Sequence, residues 1–280
     1  MDGRRGPELA GRRMTGRPLA TFWLLAFGLT WAVWVPRAAT GGDPGWLEPL
    51  STYGPALAAV LAAALPAGRV ALAALGRRLT RWRVGRWWVV VLLGPAAVWL
   101  VTVVLTVALG GRPGDAMPLA GTTGPVGVLV LLLVLALTDG LGEEAGWRGF
   151  ALPALLRRTG PAAAALVLGL AWAVWHAPLA WTDGAVLEGT AIWLLLVQLP
   201  AVAVLHTWVF LGTGGSALTA VVLHATTSLC AVPLPGDGSP WRPYLLQLVL
   251  QVATALAVVA GWRRQPVRPS AAARARDWTV

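Results

Sequence analysis

Two adjacent glutamates, an arginine, three histidines and a serine stand at helical spacings inside otherwise apolar sequence. They are Glu143 and Glu144 with Arg148, then His176 four residues after Trp172, then His206, then His224 four residues before Ser228. Charge in hydrocarbon loses its water, so an ionisable cluster at membrane depth marks a functional site. One glutamate and one histidine suffice to hold and deprotonate a water. A second histidine with the Ser228 hydroxyl can donate hydrogen bonds to a developing oxyanion. Alternatively, Glu143, His176 and His224 can bind one Zn²⁺ and leave a fourth position open for water. Both routes end in hydrolysis of a carbonyl compound, most naturally a peptide bond near the membrane face. The sequence has no HExxH zinc signature, no Ser/His/Asp elbow and no phosphate-cradling glycine loop.

Each residue also has a plainer use. Glu144 and Arg148 are i,i+4 and suit an internal ion pair, which leaves Glu143 as the uncompensated carboxylate. Asp139 is i,i+4 to Glu143 and reads best as the polar end of a span. Tryptophans beside His176 suit an interfacial belt. His206, near the end of its helix and beside Trp208, reads as structural. A serine such as Ser228 can bond back to its own helix. Cys230 is the one cysteine; it reads as a small core residue and excludes a disulfide framework or a cysteine metal site.

The elements that must position these groups are membrane helices. The chain of 280 residues is 57% hydrophobic and 12% charged, about half the charged fraction of a soluble domain. Its mean hydropathy is +0.67. Eight spans are expected, at about 19–35, 53–65, 87–109, 125–156, 161–181, 189–211, 217–232 and 244–262. The fold class is therefore all-α, a polytopic bundle of about eight transmembrane helices around an intramembrane polar cavity. We divide it into a disordered basic leader (1–18), N-terminal transmembrane helices with an amphipathic stretch at 69–86 (19–124), a core (125–232), and a last helix with a basic tail (233–280).

Net charge is +10 and all 22 basic residues are arginines. They sit beside apolar runs, which suits orientation and anionic headgroups and not nucleic acid. Leader, 69–86 stretch, 157–158 turn and tail carry five, six, two and five arginines, against one, one, none and one in the opposing loops. That asymmetry places both termini in the cytoplasm. The arginine-only, alanine-rich composition suggests a GC-rich genome and a bacterial cell membrane. If the fourth span runs on to the turn at 157–160, Glu143 and Glu144 lie about 14 residues before that turn and His176 about 17 after it, roughly 21 and 25 Å by helical rise. An antiparallel pair of helices then brings them to nearly one level. His224 lies about 10 residues past its own turn, roughly 15 Å deep.

The three patterns Glu143-Glu144-x-x-x-Arg148, Trp172-x-x-x-His176 and His224-x-x-x-Ser228, in this order over 125–230, resemble the motifs of the CAAX-protease and bacteriocin-processing (CPBP) family. Gly149-Phe150 and the Thr213-Gly214-Gly215-Ser216 turn resemble it too. The resemblance implies an intramembrane endopeptidase, like the type II CAAX prenyl proteases, cutting a membrane-associated protein or peptide. It makes Glu143 and His176 the water-activating pair, His224 and Ser228 the oxyanion or accessory site, and Glu144 and Arg148 the rest of the first motif. The family has been described both as metalloproteases and as glutamate-dependent proteases, so one Zn²⁺ stays an open expectation. Two positions depart from the pattern: Trp172 stands where Phe is usual, and Ser228 where Asn or Asp is usual. The alternative is a non-catalytic membrane protein, an immunity or self-protection factor or a small transporter.

Overall fold

In hydrocarbon a backbone must satisfy its own hydrogen bonds, so uncharged apolar runs become helices. The computed structural model describes residues 17–41, 51–67, 69–116, 124–232 and 241–264. The expected leader (to residue 16), the segments 42–50, 117–123 and 233–240, and the tail from 265 lie outside the described residues. Among the described residues nine helices form and no strand: α1 Arg17–Thr40, α2 Gly54–Ala67, α3 Arg69–Leu79, α4 Trp87–Ala108, α5 Gly124–Leu156, α6 Pro161–His176, α7 Ile192–Gly212, α8 Ala217–Leu229 and α9 Trp241–Arg264.

Six of these are long and apolar enough to cross a membrane, α6 counting its 3₁₀ extension through Trp181. The other two anticipated spans, α2 and α8, are shorter apolar helices. At 13 residues α8 is roughly 20 Å long, less than the ~30 Å of a bilayer core. It starts at Ser216, whose hydroxyl caps the Thr219 N–H, and buries His224 and most of its other residues in the bundle. The amphipathic stretch is helical only to Leu79; residues 81–84 are irregular and lead to Gly85 in the left-handed region.

The site is positioned chiefly by α5. Its first part, Gly124–Leu135, buries no residue, as a lipid-facing helix should. From Gly140 to Leu155 nearly every residue is buried. The helix thus continues from lipid into the bundle and on to the 157–160 turn, as the depth argument requires. Asp139 does not end a span: it sits inside a wider π-helical turn, Ala136–Gly140. Carbonyls around that turn find side-chain donors, the Thr138 hydroxyl on Val134 (2.9 Å) and the Tyr53 hydroxyl on Leu137, so the helix need not stop. A second π turn, Trp147–Ala151, follows the glutamates.

Gly142 and Gly146 stand one turn apart on the face of α5 that meets the start of α2. A Cβ on Gly142 would lie 2.7 Å from the Thr52 carbonyl oxygen, and one on Gly146 2.5 Å from that of Pro55. Small residues at this spacing let two membrane helices approach closely. Loops gather into two sets. Arg37 bonds the Asp183 carbonyl (3.3 Å) and Arg242 that of Leu109 (2.8 Å) at one end. Ser216 bonds the Arg81 carbonyl (2.7 Å) and Arg78 that of Gly149 (2.9 Å) at the other.

Candidate active site

Glu143 and Glu144 are consecutive on a helix, so their side chains point about 100° apart. Glu143 turns toward α6. Its Oε2 accepts the indole N–H of Trp172, and that of Trp147 at 3.3 Å. Its Oε1 is left facing His176, whose Nε2 is 3.9 Å away. His176 ends α6 and its Nδ1 lies 3.0 Å from the Trp172 carbonyl. A carbonyl only accepts, so Nδ1 carries the hydrogen and a neutral ring keeps its lone pair on Nε2. Two acceptors therefore face each other across a gap that one water, ~2.8 Å from each, would bridge.

Glu144 turns toward α7 and α8. Its Oε1 accepts Arg148 Nη1 at 2.7 Å and lies 3.0 Å from His224 Nδ1 and 4.0 Å from His206 Nε2. Glu144 and Arg148 are completely buried. The anticipated i,i+4 ion pair is thus present, and Arg148 also lies over the Trp172 ring, 4.6 Å from its centroid. Trp172 is the hinge of the arrangement: it donates to Glu143, stacks on Arg148, and has the rings of His176, His206 and His224 within 6.0 Å.

Five of the six anticipated residues fall into two adjoining groups, Glu143 with His176, and Glu144 with Arg148 and His224. The sixth, Ser228, is half-buried one turn beyond His224, and its hydroxyl bonds no residue among those described. Cys230 is half-buried at the end of α8. The sequence reading missed Trp147, Trp172 as a donor, and His206. His206 is buried against Glu144, with Nδ1 on the Val202 carbonyl (3.0 Å). The available signals were a histidine in an apolar run with no neighbouring charge, and a Trp, which has an N–H, where the resembled motif has Phe.

For a metal, the close-set donors among the described residues are Glu144, His206 and His224, with ligand atoms within 4.8 Å of one another. This group shares only His224 with the anticipated Glu143, His176 and His224, because the 100° step between the glutamates sends Glu143 the other way. One carboxylate and two imidazoles suit Zn²⁺. Glu144 Oε2 and His206 Nε2 are buried without a hydrogen-bond partner, as unused ligand atoms would be.

Residues 125–230 match the family model described as Type II CAAX prenyl endopeptidase Rce1-like. The chain is also 30% identical over 150 residues to a protein named CAAX prenyl protease 2 from Methanococcus maripaludis. That alignment covers 50% of this chain and 54% of the relative, so the chain spans about half the length of the curated relative it matches. Every residue of the two groups lies within 125–230, and the resemblance carried by the three motifs is borne out there.

Proposed function

Taking residues 125–230 as a segment of the type II CAAX prenyl endopeptidase family, we propose that the protein is an intramembrane endopeptidase acting on a membrane-associated protein or peptide. The observation that carries this reading is the free Glu143 Oε1 set 3.9 Å from His176 Nε2 in a buried site. A water held there gives one proton to Glu143 as its oxygen attacks the peptide carbonyl; the tetrahedral intermediate then collapses, the C–N bond breaks, and Glu143 returns that proton to the departing amine. Oε2 is already saturated by two indole N–H groups, so Oε1 is the base. His176 receives the water's other hydrogen bond and aims its lone pair at the substrate. His224, tied to Glu144 through Nδ1, and Ser228, one turn further on, supply donors to the oxyanion. Arg148 balances Glu144, so the glutamate that orients His224 does not compete for the water's proton. In this reading 125–232 is the catalytic core, both termini are cytoplasmic, and the chain resides in a bacterial cell membrane.

A second reading is favoured by the unpartnered buried atoms of Glu144 and His206. Glu144, His206 and His224 would hold a Zn²⁺, which would supply Lewis-acid polarisation of a carbonyl. Glu143 and His176 keep their places beside it.

Cleavage of a membrane-tethered peptide by the purified protein tests the proposal. Glu143→Ala and His176→Ala should each remove activity while the protein stays folded. Unchanged cleavage in both would sink it, and a protective or transport phenotype surviving Glu143→Gln would favour the non-catalytic alternative. Metal analysis of the same preparation separates the readings: stoichiometric zinc lost in His206→Ala supports the second, and chelator-insensitive cleavage by zinc-free protein excludes it.

A further inference from the structure

Away from the glutamates, the loop between α3 and α4 and the turn between α7 and α8 enclose an open cavity of about 1,020 Å³. Arg77, Arg78, Arg81, Arg83 and Arg86 line it and no carboxylate does. Among the described residues, no acidic side chain pairs with any of these five. Burial, then the neighbouring charges of Arg157 and Arg77, pull the Arg78 guanidinium down to about 10. Arginines held this close repel one another, and their geometry suits a ligand that brings several anionic oxygens at once.

The cavity lies where hydrocarbon ends. Trp87, in its wall, opens the spanning helix α4, and Gly212, packed against the Trp87 ring, closes α7. Two exposed apolar side chains stand next to this lining along the chain: Val70, one turn before Ala74, and Trp82, between Arg81 and Arg83, are 59% and 60% exposed, and Arg83 stacks on the Trp82 ring at 5.2 Å. Trp88 donates its indole N–H to the Trp82 carbonyl at 2.9 Å, which fixes this aromatic edge. A soluble anion would use the arginines and leave the apolar edge unexplained. A phospholipid uses both, with phosphate among the guanidinium groups and acyl chains beside Val70 and Trp82.

We propose that this cavity is a binding site for the phosphate headgroup of an anionic phospholipid. Its occupant would touch both walls of the candidate active site at second hand. Arg78 bonds the carbonyl of Gly149, next to Arg148, and the Arg81 carbonyl holds the Ser216 hydroxyl that caps the helix bearing His224.

The test uses the full chain in neutral micelles, titrated with phosphatidylglycerol or phosphatidylcholine and read by thermal shift and native mass spectrometry. The wild type should bind phosphatidylglycerol at least tenfold more tightly. Arg77→Gln, Arg83→Gln and Arg86→Gln together should lower its affinity about a hundredfold, each arginine near an anionic surface being worth a factor of about five. Arg78 is left intact because its guanidinium also bonds the Gly149 carbonyl. If the triple glutamine variant fails to fold, Arg77→Lys, Arg83→Lys and Arg86→Lys together keep charge and topology. That variant should bind between wild type and the phosphatidylcholine level, because an ammonium cannot fork across a phosphate. Equal binding of the two lipids, or an undiminished preference in the variants, overturns the proposal. So does full competition by glycerol 3-phosphate, which would make the occupant a soluble phosphate.

Discussion

Removing the Arg148 charge while keeping its bulk, as in Arg148→Met, would leave Glu144 buried with only histidine beside it. Both partners have 0% side-chain exposure and meet at 2.7 Å, so no solvent screens the loss. Breaking one side of a buried pair costs about 3–5 kcal/mol, because the orphaned charge stays in low dielectric. At roughly 2–4 °C per kcal/mol for a chain of this size, the thermal midpoint should fall by roughly 6–20 °C. Glu144→Gln should cost a similar amount, since it strands Arg148, whose Nε and Nη2 already lack partners. The double variant Glu144→Gln/Arg148→Met should recover most of the loss. It should stay about 1 kcal/mol below wild type, from the lost stacking of Arg148 on Trp172. Unfolding midpoints of the four proteins in one detergent give a coupling energy of at least about 2 kcal/mol if this is right. Single variants costing under about 1 kcal/mol, or a double variant as unstable as the sum of the singles, would refute the claim that the pair is a closed electrostatic unit.

Three further outcomes are expected. Trp172→Phe removes one of two indole donors to Glu143 Oε2, so cleavage should fall at least about tenfold, a hydrogen bond to a charged group being worth about 1.5–3 kcal/mol; a rate within twofold of wild type argues against the clamp. Trp147→Phe, whose bond is longer at 3.3 Å, should cost less than Trp172→Phe in the same assay. Gly146→Ala drives a methyl toward the Pro55 backbone and should destabilise by about 1–3 kcal/mol, read as a lower thermal midpoint, whereas Gly94→Ala, which meets nothing within 4 Å, should not.

Turn counting found the level of the site because helical rise is nearly constant. Glu143 and His176 stand opposite each other for that reason, and α5 had to run through its charges for the count to work. Facing direction was harder to read. Consecutive glutamates differ by 100°, but which one meets His176 depends on the rotation added by the π turns at 136–140 and 147–151. No residue pattern announces those turns. His206 was legible as a polar group in hydrocarbon but not as a partner of Glu144, since that contact depends on how α7 packs against α5. Asp139 misled for the complementary reason: a carboxylate in an apolar run looks like an end when side-chain donors from Thr138 and Tyr53 let the helix continue.

Each of those two π turns holds one residue more than an α turn would, so each is a place where the chain can change length without losing its helix. Their tolerance should differ. Deleting one residue at 136–140 would swing the stretch before it, Gly124–Leu135, which buries no residue and meets the bundle chiefly along α8. Deleting one at 147–151 would twist the glutamates against Leu152–Leu155, both of them buried. Length variation among relatives should therefore collect at the first turn and be purged at the second. The bulge after the glutamates is a fixed gear of the site, and the one before them is a looser joint, held to α8 at Gly140 and freer toward Gly124–Leu135.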